Sequence, residues 1–244
     1  MIKCARVSSS IENFREKIDK RYGLKSYSFF VDFYKPTIFF GLYHWVDYLV
    51  FFSHQGRKTV FFCGGDITNL SKRSRLLKWL VRKTNVRYVC ENDSEWYILH
   101  NIGIQAETLP QSFVNPDEFP VSYKHSNEPK IFATYHKGRE KEYGYYLYPW
   151  VDWFCDLTEE EFNRKIKEYQ GCIRLNKIDG FSESLVKSIF VGQYQWSEIP
   201  YEGMSHTCSV YQWYEDLKNK KEPNPLSEKY RAILELNKHY LLYG

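Results

Sequence analysis

No C-x-x-C pair occurs in the sequence. Its six cysteines (Cys4, Cys63, Cys90, Cys155, Cys172 and Cys208) lie far apart, which argues against zinc-ribbon and thioredoxin-type sites. The even count permits disulfides, but the reading adopted is reduced thiols in a cytoplasmic protein, several of them buried in strands. Long apolar runs are also missing: Phe29–Val31 is followed at once by Asp32, and Asp47 and His54 bracket Tyr48–Phe52, so no bilayer-crossing segment is expected. The opening Met-Ile-Lys-Cys-Ala-Arg-Val has no long apolar stretch, and no secretory leader is expected. There is no internal repeat and no low-complexity tract. The motifs H-E-x-x-H, G-x-S-x-G and G-x-x-x-x-G-K-[ST] are absent, which removes the commonest zinc-hydrolase, serine-hydrolase and P-loop readings. The net charge of +4 on 244 residues is too small to demand a nucleic-acid or membrane partner and does not exclude one.

Aromatic residues are abundant, at 18%, with 21 Tyr and 17 Phe. They supply large, stiff core contacts and aromatic faces for a cleft. Short β-branched or aromatic runs alternate with helical patterns. Strands are expected at Lys3–Val7, Tyr27–Phe33, Thr37–Leu42, Thr59–Cys63, Val86–Cys90, Ala106–Leu109, Lys130–Tyr135 and Cys172–Leu175. Helices are expected from a Ser9/Glu12 capping box to about Arg21, and at Trp45–Ser53, Ser71–Lys83 and Asp93–Asn101. Further helices follow a second capping box at Thr158/Glu161, at Ser182–Val191, and from about Ser227 to Leu242. This β-then-α order predicts an α/β protein with mainly parallel sheets. Pro116, Pro120 and Pro129 among polar residues mark 116–129 as a linker between lobes 1–115 and 130–244. In open α/β sheets ligands bind at the carboxyl ends of strands, which directs attention to the loops after Cys63, Tyr135 and Leu175.

The most informative stretch is Gly171-Cys172-Ile173-Arg174-Leu175-Asn176-Lys177-Ile178-Asp179-Gly180-Phe181-Ser182-Glu183, running on to Gly192. A strand ends, an acidic-glycine turn follows, and a helix begins at a serine. Gly180 lets the backbone approach a ligand. The N–H groups of Phe181, Ser182 and Glu183 would form a phosphate seat at the helix start; a plain βα turn with an Asp/Ser cap explains the same spacing.

This stretch resembles the donor-binding end of GT-B glycosyltransferases of the retaining, family-4-like group, in a short version written I-R-L-T-x-x-D-G-x-S. Arg174, Leu175, Asp179, Gly180, Ser182 and Gly192 stand where that pattern has them. Thr37–Leu42, Asp47 and Lys58–Asp66, with its Gly64-Gly65-Asp66 turn, are similar to the acceptor lobe of such enzymes. Cys90–Phe119 is similar to their crossover. The likeness covers roughly residues 37–192 and points to a short viral or microbial member with two Rossmann-like lobes, reduced in size.

The resemblance implies a nucleotide-diphosphate-sugar donor in the C-terminal lobe, no essential metal and no further cofactor. Asp179 would contact the transferred sugar. The family's second carboxylate falls on Lys187, which donates and cannot accept from a ribose diol. Lys187 could meet a phosphate instead, or pair with Glu183 one turn earlier. Lys137, Gly138 and Arg139, in the loop after the first donor-lobe strand, would neutralise the diphosphate, with Arg174 a third cation. Gly64, Gly65 and Asp66 would face the acceptor, although Asp66 also suits a helix cap. His44 and His136, each at a strand end, are candidate proton acceptors or sugar ligands. No D-x-D occurs, so the metal site of the other large glycosyltransferase fold is absent.

The basic amphipathic segment Ser71–Lys83 could lie on an anionic membrane or contact phosphates. The leading reading is transfer of a sugar to an unknown acceptor: a glycan, a lipid or a modified nucleic acid. The alternatives are a glycosyltransferase-like binding subunit without turnover and a nucleic-acid-binding module.

Overall fold

The computed structural model describes residues 1–83, 86–141, 143–145, 147–176 and 180–244. Two compact units emerge. The first contains residues 1–113, Gly180–Phe181 and 234–244; the second contains 114–176 and 182–233.

Unit 1 runs β1 (Cys4–Val7), a 3-10 segment (Ser9–Phe14), α1 (Arg15–Tyr22), β2 (Lys25–Ser26), α2 (Phe29–Asp32), β3 (Thr37–Phe40), α3 (Trp45–Ser53), β4 (Lys58–Phe61), α4 (Gly65–Lys72), α5 (Arg75–Lys83), β5 (Arg87–Cys90), α6 (Asp93–Asn101) and β6 (Ala106–Thr108). Its sheet is parallel throughout, in the order β2-β1-β3-β4-β5-β6. Alternate residues of the central strands serve opposite faces. Ile38, Phe40, Phe61 and Val89 pack with Ile18 and Tyr22 of α1 on one face. Phe39, Val60, Phe62 and Tyr88 pack with Tyr48 and Phe51 of α3, Leu70 of α4, Val81 of α5 and Leu99 of α6 on the other. A sheet buried on both sides reads as continuous apolar runs, and Thr37–Phe40 is buried at every position.

Unit 2 has a 3-10 turn (Pro116–Glu118), β7 (Ile131–Thr134), β8 (Asp152–Phe154), α7 (Glu159–Lys165) with a 3-10 end (Ile166–Glu168), β9 (Gly171–Arg174), α8 (Glu183–Phe190), β10 (Tyr194–Ser197) and α9 (Val210–Leu217). Its four strands are parallel in the order β10-β9-β7-β8. The last helix, α10 (Leu226–Tyr243), starts in unit 2 and finishes in unit 1. Within unit 1 its Glu235 pairs with Arg21, and Asn237 donates to the Pro110 carbonyl at 2.8 Å.

The α/β class and the parallel sheets match the sequence expectation; several elements differ from it. Tyr27–Phe33 is not a strand. Ser28 starts the single turn α2, and the Asp32 carboxylate accepts the Ser28 N–H at 2.8 Å, so local capping outweighs an apolar run. The helix expected over Ser71–Lys83 is broken: Arg73 is extended at the end of α4, and the Ser74 hydroxyl accepts the Leu77 N–H at 3.3 Å to start α5. The Ser9/Glu12 box does not form, because the chain from Ser9 to Phe14 is 3-10 and α1 begins at Arg15. The Thr158/Glu161 box does form, with Thr158 Oγ1 accepting the Glu161 N–H at 3.2 Å. The short strands β2, β8 and β10 are additions to the expected set.

Candidate functional site

In unit 1 the loops after β3, β4 and β5 gather polar groups at the carboxyl edge. Asp47, in the first turn of α3, is buried, and its Oδ2 accepts the N–H groups of Tyr43 (3.1 Å) and His44 (3.0 Å) and the Ser8 hydroxyl (2.6 Å). Arg6 approaches the other oxygen at 3.3 Å. A carboxylate here satisfies loop donors and suits the positive end of the helix. It fixes the backbone of His44, whose exposed ring reaches the Ser10 hydroxyl at 2.7 Å through Nε2.

The Gly64-Gly65-Asp66 turn is shaped by backbone demands. Gly64 has φ +83° and ψ −82°, a conformation that L side chains rarely adopt. A Cβ on Gly65 would touch the Tyr43 ring at 3.4 Å. Asp66 is fully buried in the first turn of α4. Its Oδ2 accepts the Leu42 N–H, and its Oδ1 accepts those of Cys63 and Ile67, each at 3.0 Å. It therefore ties the ends of β3 and β4 to the helix. Burial pushes its carboxyl up to about 6 against those three bonds.

Two further carboxyls were missed by sequence reading. Glu91 follows β5, is 7% exposed, and accepts the Phe181 N–H at 2.7 Å through Oε2. Glu95, 1% exposed in α6, accepts the Glu91 N–H at 2.7 Å. Burial raises both, and Glu91 and Asp66 add like-charge repulsion to Glu95. The Cys63 thiol is likewise raised, first by burial and then by the negative charge of Asp66 and Glu91. The only local signal was a polar Glu91-Asn92-Asp93 run after an apolar strand, and it reads equally as an ordinary cap; Asn92 is indeed the cap, accepting the Glu95 N–H at 3.0 Å. Among the described residues, no three His, Cys, Asp or Glu side chains converge to seat a metal ion.

In unit 2 the corresponding edge carries cations. Arg174 ends β9, is 7% exposed, and donates from a guanidinium nitrogen to Thr134 Oγ1 at 3.1 Å. Thr134 ends β7 and shares a hydrogen bond with Ser184 at 3.0 Å; Ser184 in turn meets Ser182 at 2.8 Å. The buried Tyr143 ring lies beneath two guanidiniums, Arg174 at 4.8 Å and Arg139 at 5.6 Å from its centroid. Such stacking holds a cation while leaving its hydrogen-bonding edge in plane. His136 packs edge-on against the same ring at 5.6 Å. Partial burial, then Arg174 and Arg139, hold its imidazole below the usual range. Lys137 is exposed, and Gly138, at φ +82°, turns the loop so that its N–H meets Glu140 at 2.8 Å.

The structure thus gathers Arg139, Arg174, Ser182 and the Lys137–Gly138 turn at one edge, and His44, Gly64, Gly65 and Asp66 at another. Lys187 makes its contacts with α7 and with two rings. It is 4% exposed, its ammonium meets Glu159 at 2.8 Å, and it lies over the rings of Phe119 (5.3 Å) and Phe162 (5.5 Å). The i,i+4 pair with Glu183 is replaced by this ion pair with α7. At the α8 start the Phe181 N–H is given to Glu91, and Gly180 lies so close to that carboxylate that a Cβ would collide with it. Asp179, expected to contact the sugar, lies outside the described residues. Tyr143, Thr134 and Ser184 were also missed: the contacts that bring them to Arg174 and to one another span distant parts of the chain, although Tyr143 lies only four residues after Arg139 and Ser184 two after Ser182.

No family model and no curated protein matches this chain. Solved structures do. HepE of Anabaena, in complex with UDP-glucose, is 7% identical with a TM-score of 0.55, over 99% of this chain and 98% of that one. T4 phage BGT, in complex with its UDP-glucose substrate, is 10% identical with a TM-score of 0.50 over the whole of both chains. The sucrose-phosphate synthase of Thermosynechococcus elongatus is 11% identical with a TM-score of 0.52, over 95% and 75% of the two chains. TarM of S. aureus also matches, at 10% identity and a TM-score of 0.49, and this chain spans 53% of its length. At these identities the likeness is one of fold. The chain has two Rossmann-like α/β lobes of the GT-B type, as those glycosyltransferases do.

Proposed function

We propose that the chain is a glycosyltransferase that takes a sugar from a nucleotide-diphosphate donor and passes it to an acceptor hydroxyl. One observation carries this reading. Two guanidiniums, Arg139 and Arg174, share the Tyr143 ring at the carboxyl edge of β7 and β9, where an open α/β sheet binds its ligand. The fold supports it: HepE and T4 phage BGT, matched over nearly their whole lengths, were each solved with UDP-glucose. A UDP-sugar is therefore the donor class proposed.

In this reading Arg139, Arg174 and Lys137 neutralise the diphosphate as the sugar–phosphate bond breaks. Fixed cations aimed at the developing charge supply most of the acceleration in such transfers. The Ser182 and Ser184 hydroxyls offer donors to the phosphate oxygens. Lowered basicity keeps His136 neutral near pH 7, so it is free to accept a proton. Asp179 contacts the sugar, and His44, with the Gly64–Asp66 turn, serves the acceptor side. Transfer proceeds with retention and without an essential metal.

The test is calorimetric titration with UDP and UDP-glucose, followed by a hydrolysis or transfer assay. Arg139→Ala and Arg174→Ala should each weaken UDP binding by about tenfold or more, from loss of a charge-assisted contact worth ~1.5–3 kcal/mol. Asp179→Asn should suppress turnover while leaving UDP affinity near wild type. If UDP does not bind, or binds equally well to both arginine variants, the proposal is wrong.

A further inference from the structure

Unit 1 carries an apolar surface that the fold itself does not use. One side of α3 packs on the sheet through Tyr48 and Phe51. The opposite side presents Trp45 (68% exposed), Val46 (41%) and Leu49 (56%). A helix that is apolar all round is normally buried all round, and α3 is not. On α5, Val81 is buried in the same cluster while Leu76 (66% exposed) and Trp79 (46%) face solvent. These helices occupy crossovers between adjacent strand pairs, β3–β4 and β4–β5, on the same face of the sheet. Their outward side chains therefore belong to one layer. The layer continues toward α2, whose Phe30 is 92% exposed and which is joined to the end of α3 by the Gln55 N–H on the Phe33 carbonyl at 3.0 Å.

Within the stretch that carries α3 and α5 the exposed charges have one sign. From Thr37 to Lys83 the only carboxylates are Asp47 and Asp66, and both are buried. The cations of the same span include Lys72, Arg73, Arg75 and Arg82, all exposed, and Lys78, half-buried. On α5 the helical spacing puts Arg75, Lys78 and Arg82 along one flank of the Leu76–Trp79 face. Indole rings and leucines on the outward side, with cations beside them, suit the interfacial zone of a bilayer. A nucleic-acid surface would use the exposed cations but would gain nothing from exposed Leu49 and Leu76.

We propose that the outward faces of α3 and α5 dock this protein on an anionic lipid surface, with Trp45, Leu76 and Trp79 entering the headgroup region and Arg75, Lys78 and Arg82 meeting lipid phosphates. The inference is independent of the proposed sugar transfer, because no residue assigned to donor binding takes part.

Flotation of the full chain with vesicles tests it, using phosphatidylcholine alone and phosphatidylcholine mixed with phosphatidylglycerol. The expected result is binding to the anionic vesicles that exceeds binding to neutral ones and falls at high salt. Leu76→Ser combined with Trp79→Ser should abolish flotation, with an unchanged circular-dichroism spectrum. Arg75→Gln combined with Lys78→Gln should weaken it by about fivefold for each cation removed. Three results would overturn the proposal: no flotation with either lipid, equal flotation with both, or unaltered flotation of the Leu76/Trp79 variant. A dimer in solution that dissociates on the same substitutions would assign the surface to a second copy instead, and selective capture of duplex DNA would assign it to nucleic acid.

Discussion

Replacing Glu91 by glutamine should flatten a decline in stability that the wild-type protein shows above neutral pH. Burial, then the nearby Asp66 charge, raises the Glu91 carboxyl from its ordinary 4.5 to about 8. Around pH 7 the unfolded chain has lost this proton and the folded chain still holds it. The folded state therefore binds more protons, and stability falls as pH rises, by about 1.4 kcal/mol per pH unit for each such group. Glu95, raised by burial and by Glu91, adds to the slope with the same sign. Other groups are silent in the window from about pH 7 to about pH 8. Asp66, at about 6, is ionised in both states there. His54 and His136, both lowered, are neutral in both. In the Glu91→Gln variant the amide would keep an oxygen to accept the Phe181 N–H now bonded at 2.7 Å and would have no proton to lose. Urea unfolding followed by far-ultraviolet circular dichroism, in steps across this window, gives the slopes directly. Because the folded-state carboxyl passes from protonated to half-ionised across this window, the variant should lose about 1 kcal/mol of the wild-type decline between pH 7 and pH 8 and should gain on wild type most at the alkaline end. Parallel profiles for the two proteins would refute the argument, because they would mean that Glu91 is ionised in the folded state.

Lys187→Met should cost about 1–2 kcal/mol in unfolding free energy, from loss of two cation–π contacts and a half-exposed ion pair, partly offset by an apolar side chain that fits between Phe119 and Phe162; a thermal melt reads the change, and UDP affinity should stay near wild type. Gly64→Ala should destabilise by roughly 1–3 kcal/mol from backbone strain, since φ is +83° there; Gly65→Ala, compared in the same melt, should cost less, because Gly65 has helical geometry and ordinary contact distance to Tyr43.

How far the sequence revealed this molecule depends on the range over which each signal acts. Strands such as Thr37–Phe40 and Lys58–Phe61 were legible because burial on both faces forces an unbroken apolar run. Helices α3 and α6 were placed at their observed ends, since an N-terminal Asp and a terminating His or Gly act within one turn. The Thr158 box closed for the same local reason. Tyr27–Phe33 misled because a strand needs a partner, and the run itself says nothing of whether one is available; here Asp32 closes a turn on Ser28 and leaves Phe30 in solvent. Edge strands β8 (Asp-Trp-Phe) and β10 (Tyr-Gln-Trp-Ser) mix polar and aromatic residues, so no unbroken apolar run marks them.

The same division runs through the candidate sites. The glycine-and-acid turn after β4 and the basic loop after β7 were visible because their chemistry is written in consecutive residues. Arg174 was visible as a strand-end cation, but the ring that orients it, Tyr143, lies 31 residues away in sequence, and the i,i+4 spacing of Arg139 and Tyr143 does not announce that Arg174 joins them. Glu91 is the extreme case. Beside its neighbours in sequence it is one more acid near a helix start; in the fold it lies 90 residues from its backbone partner, Phe181, and shares a dry edge with Asp66 and Glu95. Three acids can share such a place only if the protein holds at least one of them protonated, because mutual repulsion and lost hydration penalise the charged forms together. A sequence records how many carboxyls a chain has. Which of them must keep a proton is set by the topology that brings strand ends together, and that is why the groups most sensitive to their surroundings were the least legible.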